Sequence, residues 1–345
     1  MHITEAKKDL PKTLPEKSCL KSLLAGCLII AAILGAAGCA EKSANENSGG
    51  KSDSSAYRRE IIDRGGRTIV INRPINRIVS AAPSNTEIIV DLGLADKLVA
   101  IDKYSADIAG LPAGLFRIDF AYPDAEALLG LEPDIIIAHG HNTTVSGDDP
   151  FRLIKEMGIP VAYISMSTSI NGIYEDIAFV ADLLEVKDRG QALIDSMKAQ
   201  VDELSNKAAS YPAIEPKAGA QAGAKRSVYF EISPAPEIFT FGKDSYINDM
   251  ISRVGGKNIF ADDNWVLSPS VEAIIERNPD VILTCVDFIE DPIGELKNRD
   301  GFNLINAVIN NRIYKIDTNS LVRPSARIIL ALNQMAKAVY PELYE

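Results

Sequence analysis

A thirteen-residue segment that occurs twice constrains the fold more than any other feature of this chain. Residues 125–137 read AEALLGLEPDIII and residues 271–283 read VEAIIERNPDVIL, with five identical positions. Each copy has the pattern of a short amphipathic helix that stops at a proline, a turn at the next aspartate, and a buried aliphatic strand. A helix that feeds a strand is half of an α/β unit. Two such units predict two similar α/β lobes, with a cleft between them in which function should be sought.

The N-terminal region has the pattern of an export signal. Lysines occur throughout residues 1–21, an apolar stretch runs over residues 23–37, and small residues precede Cys39. This order resembles a bacterial lipobox, and it predicts a lipoprotein signal peptide over residues 1–38 with Cys39 as the lipidated first residue. Cys27 is the alternative, although it lacks an apolar stretch before it. An uncleaved anchor is the other alternative, but a spanning helix needs about 20 apolar residues.

Composition separates a tether from a folded body. Residues 39–56 are rich in Ser, Gly and Asn, which predicts a flexible polar tether. The net charge of −11 argues against nucleic-acid binding, because that function usually needs a basic face. Three of the four cysteines lie in the leader or at the lipid site, so Cys285 has no partner in the body for an intrachain disulfide.

Strands alternate with helices along the body at the spacing of mainly parallel sheets. We therefore predict an α/β fold with two Rossmann-like lobes joined by one long bridging helix. The predicted segments are an N-terminal lobe over residues 57–186, the bridging helix over 187–209, a low-complexity loop over 210–226, and a C-terminal lobe over 227–345.

Several short motifs occur in order along the body. They are the stretches RIVS at 77–80 with PSNTE at 83–87, GGKN at 255–258, SVEAI at 270–274 with NPDVI at 278–282, NRIY at 311–314, and RPSARII at 323–329. Together they resemble the binding proteins of ABC importers for iron–siderophore complexes, haem and cobalamin. The resemblance implies two lobes that bind a ferric siderophore, cobalamin or haem between them. It also implies a monomer that is exported, anchored to the membrane by its lipid, and partnered by a permease and its ATPase subunits. It further implies that the protein is not an enzyme and that it has no intrinsic cofactor.

The same resemblance implies two carboxylates that meet arginines of the permease. Glu87 stands at the family's motif position in the first lobe, and Asp249 stands at the matching place in the second lobe, where glutamate is more usual. The pattern predicts a helix over residues 87–92 that follows a turn at PSNT, 83–86. A simpler explanation for Glu87 is therefore that a carboxylate is stabilised near a helix N-terminus by about 0.3–1 kcal/mol.

Ligand-binding residues are expected just beyond the carboxyl ends of the parallel strands. Aromatic side chains suit a flat macrocycle or a catecholate, and arginines suit an anionic ligand. Core packing is the alternative for each aromatic residue, and a surface salt bridge is the alternative for each arginine. The predicted cleft residues are Tyr104, Tyr122, His139, His141, Phe241, Trp265, Asp287, Phe288, Arg323 and Arg327.

The His139-Gly-His141 segment could in principle hold a metal, because alternation puts both imidazoles on one side of an extended chain. The body has no further histidine, so we predict no free-metal site and expect contact with the polar edge or the metal of a ligand instead. Sequence motifs of hydrolases, phosphate-binding loops and zinc proteases are absent. An enzyme or sensor acting on a metal chelate with the same scaffold is the alternative function.

Overall fold

Five parallel strands form the sheet of the N-terminal lobe. The computed structural model describes residues 57–140, 149–210 and 225–344. The predicted signal peptide, Cys39, the tether, His141 and most of the 210–226 loop lie outside these residues. The sheet has the order β5-β4-β3-β6-β7. Its strands are β3 (Ile78–Ser80), β4 (Leu98–Asp102), β5 (Phe116–Ile118), β6 (Ile135–His139) and β7 (Val161–Ile164). An antiparallel hairpin of β1 (Arg59–Ile62) and β2 (Thr68–Ile71) precedes it.

The described part of this lobe contains four α-helices: α1 (Pro83–Asp91), α2 (Ala125–Gly130), α3 (Arg152–Glu156) and α4 (Ile170–Leu183). The sequence pattern suggested that α1 begins at Glu87 after a turn, but the helix begins at Pro83. Proline suits the first helical position because its fixed φ is helical and its missing N–H would have no partner there. Glu87 is therefore an interior helical residue.

The bridging helix is α5 (Lys187–Ala209), with 23 residues. It buries one apolar face, which includes Ile194, Met197, Val201 and Leu204, in a hydrophobic core that extends through both lobes. Near its start, a Cβ added at Gly190 would overlap the Cβ of Ala181 in α4. Glycine at this position therefore allows α4 and α5 to approach closely.

The sheet of the C-terminal lobe is mixed. Its order is β11-β9-β8-β12-β13, and β10 pairs with β8 outside this path. The strands are β8 (Ser227–Ser233), β9 (Phe239–Phe241), β10 (Lys257–Asn258), β11 (Val266–Leu267), β12 (Val281–Thr284) and β13 (Ile313–Lys315). Strands β8, β10, β12 and β13 are parallel to one another. Strand β9 is antiparallel to both of its neighbours, β8 and β11, because the chain returns from β8 into β9 through a short connection.

Six helices complete the second lobe: α6 (Tyr246–Arg253), α7 (Val271–Arg277), α8 (Pro292–Asn298), α9 (Asn306–Ile309), α10 (Thr318–Val322) and α11 (Ile328–Val339). Short 3₁₀ turns cover Ala95–Lys97, Lys103–Ser105, Phe302–Leu304 and Pro341–Leu343. Within the described residues, none of these helices is both long and apolar enough to cross a membrane.

Both copies of the repeated segment adopt the predicted structure. The first forms α2 and β6, and the second forms α7 and β12. Each strand lies inside its sheet, with β6 between β3 and β7 and β12 between β8 and β13. The predicted fold class, two α/β lobes joined by one long helix, is confirmed.

Candidate functional site

A cavity of about 590 Å³ lies between the lobes, within the size range of small-molecule sites. All five strands of the first sheet lead into it at their carboxyl ends, as expected for an α/β sheet. The described residues that line it from the first lobe are Ala81, Ala82, Pro83, Ser84, Tyr104, Phe120, His139, Met166 and Ser167. Those from the second lobe are Ile232, Phe241, Asp244, Ser245, Tyr246, Trp265, Val266, Asn319, Val322, Arg323 and Pro324.

The lining is mainly apolar and aromatic. Tyr104 and Phe120 contact each other with ring centroids 6.0 Å apart, on the wall of the first lobe. Phe241, Tyr246 and Trp265 form the aromatic part of the opposite wall. Such a cavity can bury a large, flat and largely apolar ligand between aromatic faces.

A close approach of two backbone segments places Trp265 at the cavity. The N–H of Gly242 donates to the Trp265 carbonyl at 2.5 Å, and the N–H of Trp265 donates to the Lys243 carbonyl at 3.0 Å. A Cβ at position 242 would collide with the Asp263 carbonyl, so only glycine fits this pairing. Trp265 itself has a φ of +42°, and its side chain remains 39% exposed.

Five of the predicted cleft residues line the cavity: Tyr104, His139, Phe241, Trp265 and Arg323. Tyr122 does not, because its side chain points to solvent with 81% exposure. Arg327 does not, because it is paired with Glu87. His141 lies outside the described residues.

Asp287 and Phe288 were also predicted to line the cleft, but they do not. The hydroxyl of Thr318 donates to the Cys285 carbonyl at 2.7 Å and fixes the start of α10 against the end of β12. Residues of α10 and the following loop, Asn319 and Val322 to Pro324, supply the wall at this point. Phe288 is left 68% exposed.

Several lining residues escaped the sequence-based prediction, among them Ser84, Met166, Asp244 and Tyr246. The rule that ligands bind beyond the ends of strands would have found the first two if it had been applied to β3 and β7. Asp244 and Tyr246 follow an antiparallel strand, to which the rule does not extend.

Glu87 does not lie at the surface, where a permease contact requires it. It is 2% exposed. Its Oε1 accepts hydrogen bonds from Arg323 at 3.3 Å and Arg327 at 3.2 Å, and its Oε2 accepts one from the Ser325 hydroxyl at 2.5 Å. All three partners belong to the second lobe, so Glu87 joins the lobes in this structure.

Asp249 makes the reciprocal contact. Its Oδ2 accepts a hydrogen bond from the backbone N–H of Ile170, at the start of α4 in the first lobe, at 2.9 Å. Its Oδ1 lies 3.2 Å from Nε of Arg253. A carboxylate at a helix N-terminus is favoured by the unpaired N–H groups there. Both predicted docking carboxylates thus contact the opposite lobe.

Cys285 follows β12 and is buried behind the start of α10. Burial, and then the charge of Asp287, raises the pKa of the Cys285 thiol to about 12, so it stays protonated at neutral pH. In the described parts of the chain, no group of three or more His, Cys, Asp or Glu could hold a metal ion.

Comparison with known proteins assigns the fold to a family. The sequence pattern of the family described as periplasmic binding protein matches residues 78–319. The uncharacterized ABC transporter substrate-binding lipoprotein YvrC of Bacillus subtilis is 29% identical over 321 residues, which are 92% of this chain and 96% of that protein. The vitamin B12-binding protein of Vibrio campbellii is 26% identical over 273 residues, 77% of this chain and 90% of its own.

A solved structure supports the same assignment. A Staphylococcus epidermidis protein described as a possible iron-binding (periplasmic solute-binding) protein superposes with a TM-score of 0.67 at 30% identity. The match covers 78% of this chain and 100% of that protein.

Proposed function

We propose, from the premise that this chain belongs to the periplasmic binding protein family, that it is the substrate-binding component of an ABC import system. The observation that carries the proposal is the cavity between the lobes, lined by both sheets at the ends of their strands. The name of the Bacillus subtilis relative, an ABC transporter substrate-binding lipoprotein, supports it.

We propose cobalamin as the captured ligand, in preference to haem or a ferric siderophore. The aromatic side chains on both walls suit the faces of a corrin macrocycle. His139 adds an imidazole for the metal or the polar edge of such a ligand. The Vibrio campbellii relative is named for vitamin B12 binding, which agrees with this choice.

We further propose Glu126 and Glu272 as the carboxylates that meet the permease, in place of Glu87 and Asp249. Each is the second residue of a repeated helix, α2 or α7, and each is exposed. They occupy identical positions in the two copies of the repeat, one in each lobe. An exposed acidic residue on each lobe is what recognition by two permease arginines requires.

The N-terminal region completes the proposal. Cys39 would carry the lipid that holds a monomeric protein at the outer side of the cell membrane, where the permease and its ATPase subunits are its partners. The relative named a lipoprotein supports this location. No catalytic step is part of the proposed function.

Titration of the purified protein with cyanocobalamin, haemin and a ferric catecholate complex tests the ligand. Trp265 is the sole tryptophan of the chain, so its fluorescence reports directly on the cavity. We expect saturable quenching by cyanocobalamin at one site per chain, with the same affinity by calorimetry. Trp265→Phe should lose the fluorescence signal while it keeps measurable binding by calorimetry. Absence of cyanocobalamin binding in calorimetry would refute cobalamin as the ligand.

A further inference from the structure

Arg323 is a cation in the wall of a mainly apolar cavity. Among the described residues that line the cavity, it is the only arginine or lysine. Its side chain is 8% exposed, so its hydrogen bonds are made inside the protein. A guanidinium at this place would ordinarily attract an anionic ligand, because arginine binds carboxylate and phosphate groups with paired N–H donors.

Residues of the first lobe already accept hydrogen bonds from this guanidinium group. One terminal nitrogen donates to Oε1 of Glu87 at 3.3 Å. The other donates to Oδ1 of Asp107 at 2.9 Å and to the Tyr104 carbonyl at 3.1 Å. Asp107 is held in turn by the amide of Asn319 at 2.8 Å. Both terminal nitrogens of Arg323 are therefore already hydrogen-bonded to residues of the first lobe.

The charges around Arg323 cancel. We define the Arg323 cluster as Glu87, Asp107, Arg323 and Arg327, two carboxylates and two guanidinium groups that three ion pairs link: Arg323 with Glu87, Arg323 with Asp107, and Arg327 with Glu87. Its formal charge is zero. Asp91, on the same helix as Glu87, adds a carboxyl whose pKa is raised to about 6 by burial and then by the Glu87 charge.

The remaining charges at the cavity do not favour an anion. Asp244 lines the cavity and contributes a negative charge. Lys103 lies 5.1 Å from the centroid of the Tyr104 ring, but it is paired with Asp119 at 2.7 Å. An anionic ligand would have to displace carboxylates from Arg323, and breaking a buried ion pair is costly because the released charge is left poorly solvated.

We propose that Glu87 and Asp107 are specificity-determining residues that neutralise Arg323 and so make the cavity select a metal–organic ligand without net negative charge. The inference rests on the proposed function of the cavity as a ligand site. Neither residue needs to touch the ligand, because each acts through the charge and the position of Arg323. The same pairs join the lobes, so the cavity becomes neutral whenever the lobes are together.

Two variants that remove one charge each test this inference. Glu87→Gln and Asp107→Asn keep the size of the side chain and its capacity to accept a hydrogen bond. Glu175→Gln is the matched control, because Glu175 pairs with Arg64 at 2.8 Å in the same lobe and does not line the cavity. The probes are cyanocobalamin, which carries no net charge, and the trianionic ferric tris-catecholate complex.

We expect Glu87→Gln and Asp107→Asn to bind the trianionic complex about five- to tenfold more tightly than the wild type, as one uncompensated charge would produce at a partly screened site. The gain should shrink as salt is added. The affinity of both variants for cyanocobalamin should stay within about twofold of the wild type. The control Glu175→Gln should leave the affinity for the trianionic complex and its salt dependence unchanged. If Glu87 and Asp107 had only a structural role, the variants would bind both ligands more weakly to the same extent, and the change would not depend on the salt concentration.

The outcomes separate this inference from the proposed function. If Asp107→Asn, whose side chain is 47% exposed and tolerates change, melts like the wild type but gains no anion binding, the inference is wrong. An equal gain for both ligands would also overturn it, because that result indicates opened lobes rather than altered charge. If the wild type does not bind cyanocobalamin but the variants bind the trianionic complex more tightly, the cobalamin proposal is refuted and the inference about Glu87 and Asp107 stands.

Discussion

The two copies of the repeated segment fold alike until their strands end, and then they differ. In each copy the aspartate after the proline fixes the turn to the neighbouring strand. Oδ2 of Asp134 accepts hydrogen bonds from the N–H groups of Asn76 and Arg77 at 2.8 and 2.9 Å. Oδ2 of Asp280 accepts from the N–H and the hydroxyl of Ser227 at 2.9 and 2.8 Å.

Beyond the strands the equivalent residues have different surroundings. His139 ends β6 and lines the cavity, whereas Cys285 follows β12 and is buried behind the start of α10. The duplicated part therefore builds the scaffold, and the unduplicated part builds the site. Permease docking, which needs one equivalent carboxylate in each lobe, is therefore expected in the repeat, whereas ligand binding, which uses different groups from the two lobes, is expected outside it.

The largest expected effect concerns the exposed glutamates of the repeat. Charge reversal by Glu126→Lys or Glu272→Lys should lower ligand uptake by about tenfold or more, because a like charge placed against a permease arginine costs several kcal/mol. The affinity of the purified protein for its ligand should not change. Uptake by cells or by liposomes that contain the permease measures the effect.

The comparison between the copies makes this test sharper. If the lobes dock equivalently, the two single variants should lose similar amounts of uptake, and the double variant should lose more. Exposed Glu276, which lies on the same helix as Glu272, gives a control charge reversal. Normal uptake by both single variants would eliminate the repeated glutamates as docking residues.

A smaller effect concerns a buried ion pair in each lobe. Asp176 lies 2.8 Å from Nε of Arg64, and Glu231 lies 2.6 Å from a terminal nitrogen of Arg299. Burial raises the pKa of Asp176 from 3.8 to about 6, although bonds from Ser167 and Arg64 oppose the shift. Burial also raises the pKa of Glu231, against the opposing effect of Arg299.

A raised carboxyl pKa means that the folded protein takes up the proton more readily than the unfolded chain. The resulting stability is present below pH 4 and is lost as pH rises through about 6. In the wild type, Asp176 should make the free energy of unfolding fall by about 2 kcal/mol between pH 4 and pH 7, and Asp176→Asn should remove this part of the fall. Glu231→Gln should change the slope in the same direction. Urea unfolding at several pH values measures both, and a steeper decline in Asp176→Asn would contradict the assignment.

The smallest effect concerns the residue before each proline. Glu132 and Asn278 occupy equivalent positions with φ values of +46° and +42°. Asparagine tolerates this left-handed conformation better than glutamate, and Oδ1 of Asn278 also accepts a hydrogen bond from the N–H of Asn306 at 2.7 Å. Glu132→Asn should stabilise the protein by about 0.5–1 kcal/mol, and Asn278→Glu should destabilise it by about 1–2 kcal/mol.

Thermal or urea unfolding of the two exchanges measures the difference. Effects of the same sign would show that the two turns are not energetically equivalent, despite their similar backbone angles.

The fold could be predicted from the sequence because its signals are local. Aliphatic runs such as 135–137 and 281–283 identify buried strands, and prolines at 133 and 279 end the helices before them. The start of α1 was misplaced, because PSNT can begin a helix at the proline as readily as it can form a turn.

The site was predicted only in part because it depends on contacts between distant segments. Residues at the ends of parallel strands, such as Tyr104 and His139, follow a general rule and were found. The burial of Glu87 depends on Arg323, which is 236 residues away in the chain. Nothing in the local sequence of α1 distinguishes a carboxylate that faces another lobe from one that faces solvent.

The close approach at Gly190 has a mechanical consequence. Because α4 and α5 nearly touch there, the bridging helix is clamped to the first lobe at its beginning. Because the start of α5 is fixed against α4, we expect the second lobe to move relative to the first mainly through bending of the later turns of α5. Gly190→Ala would push α5 away from α4 and should change how far the two lobes can separate, even though Gly190 does not line the cavity.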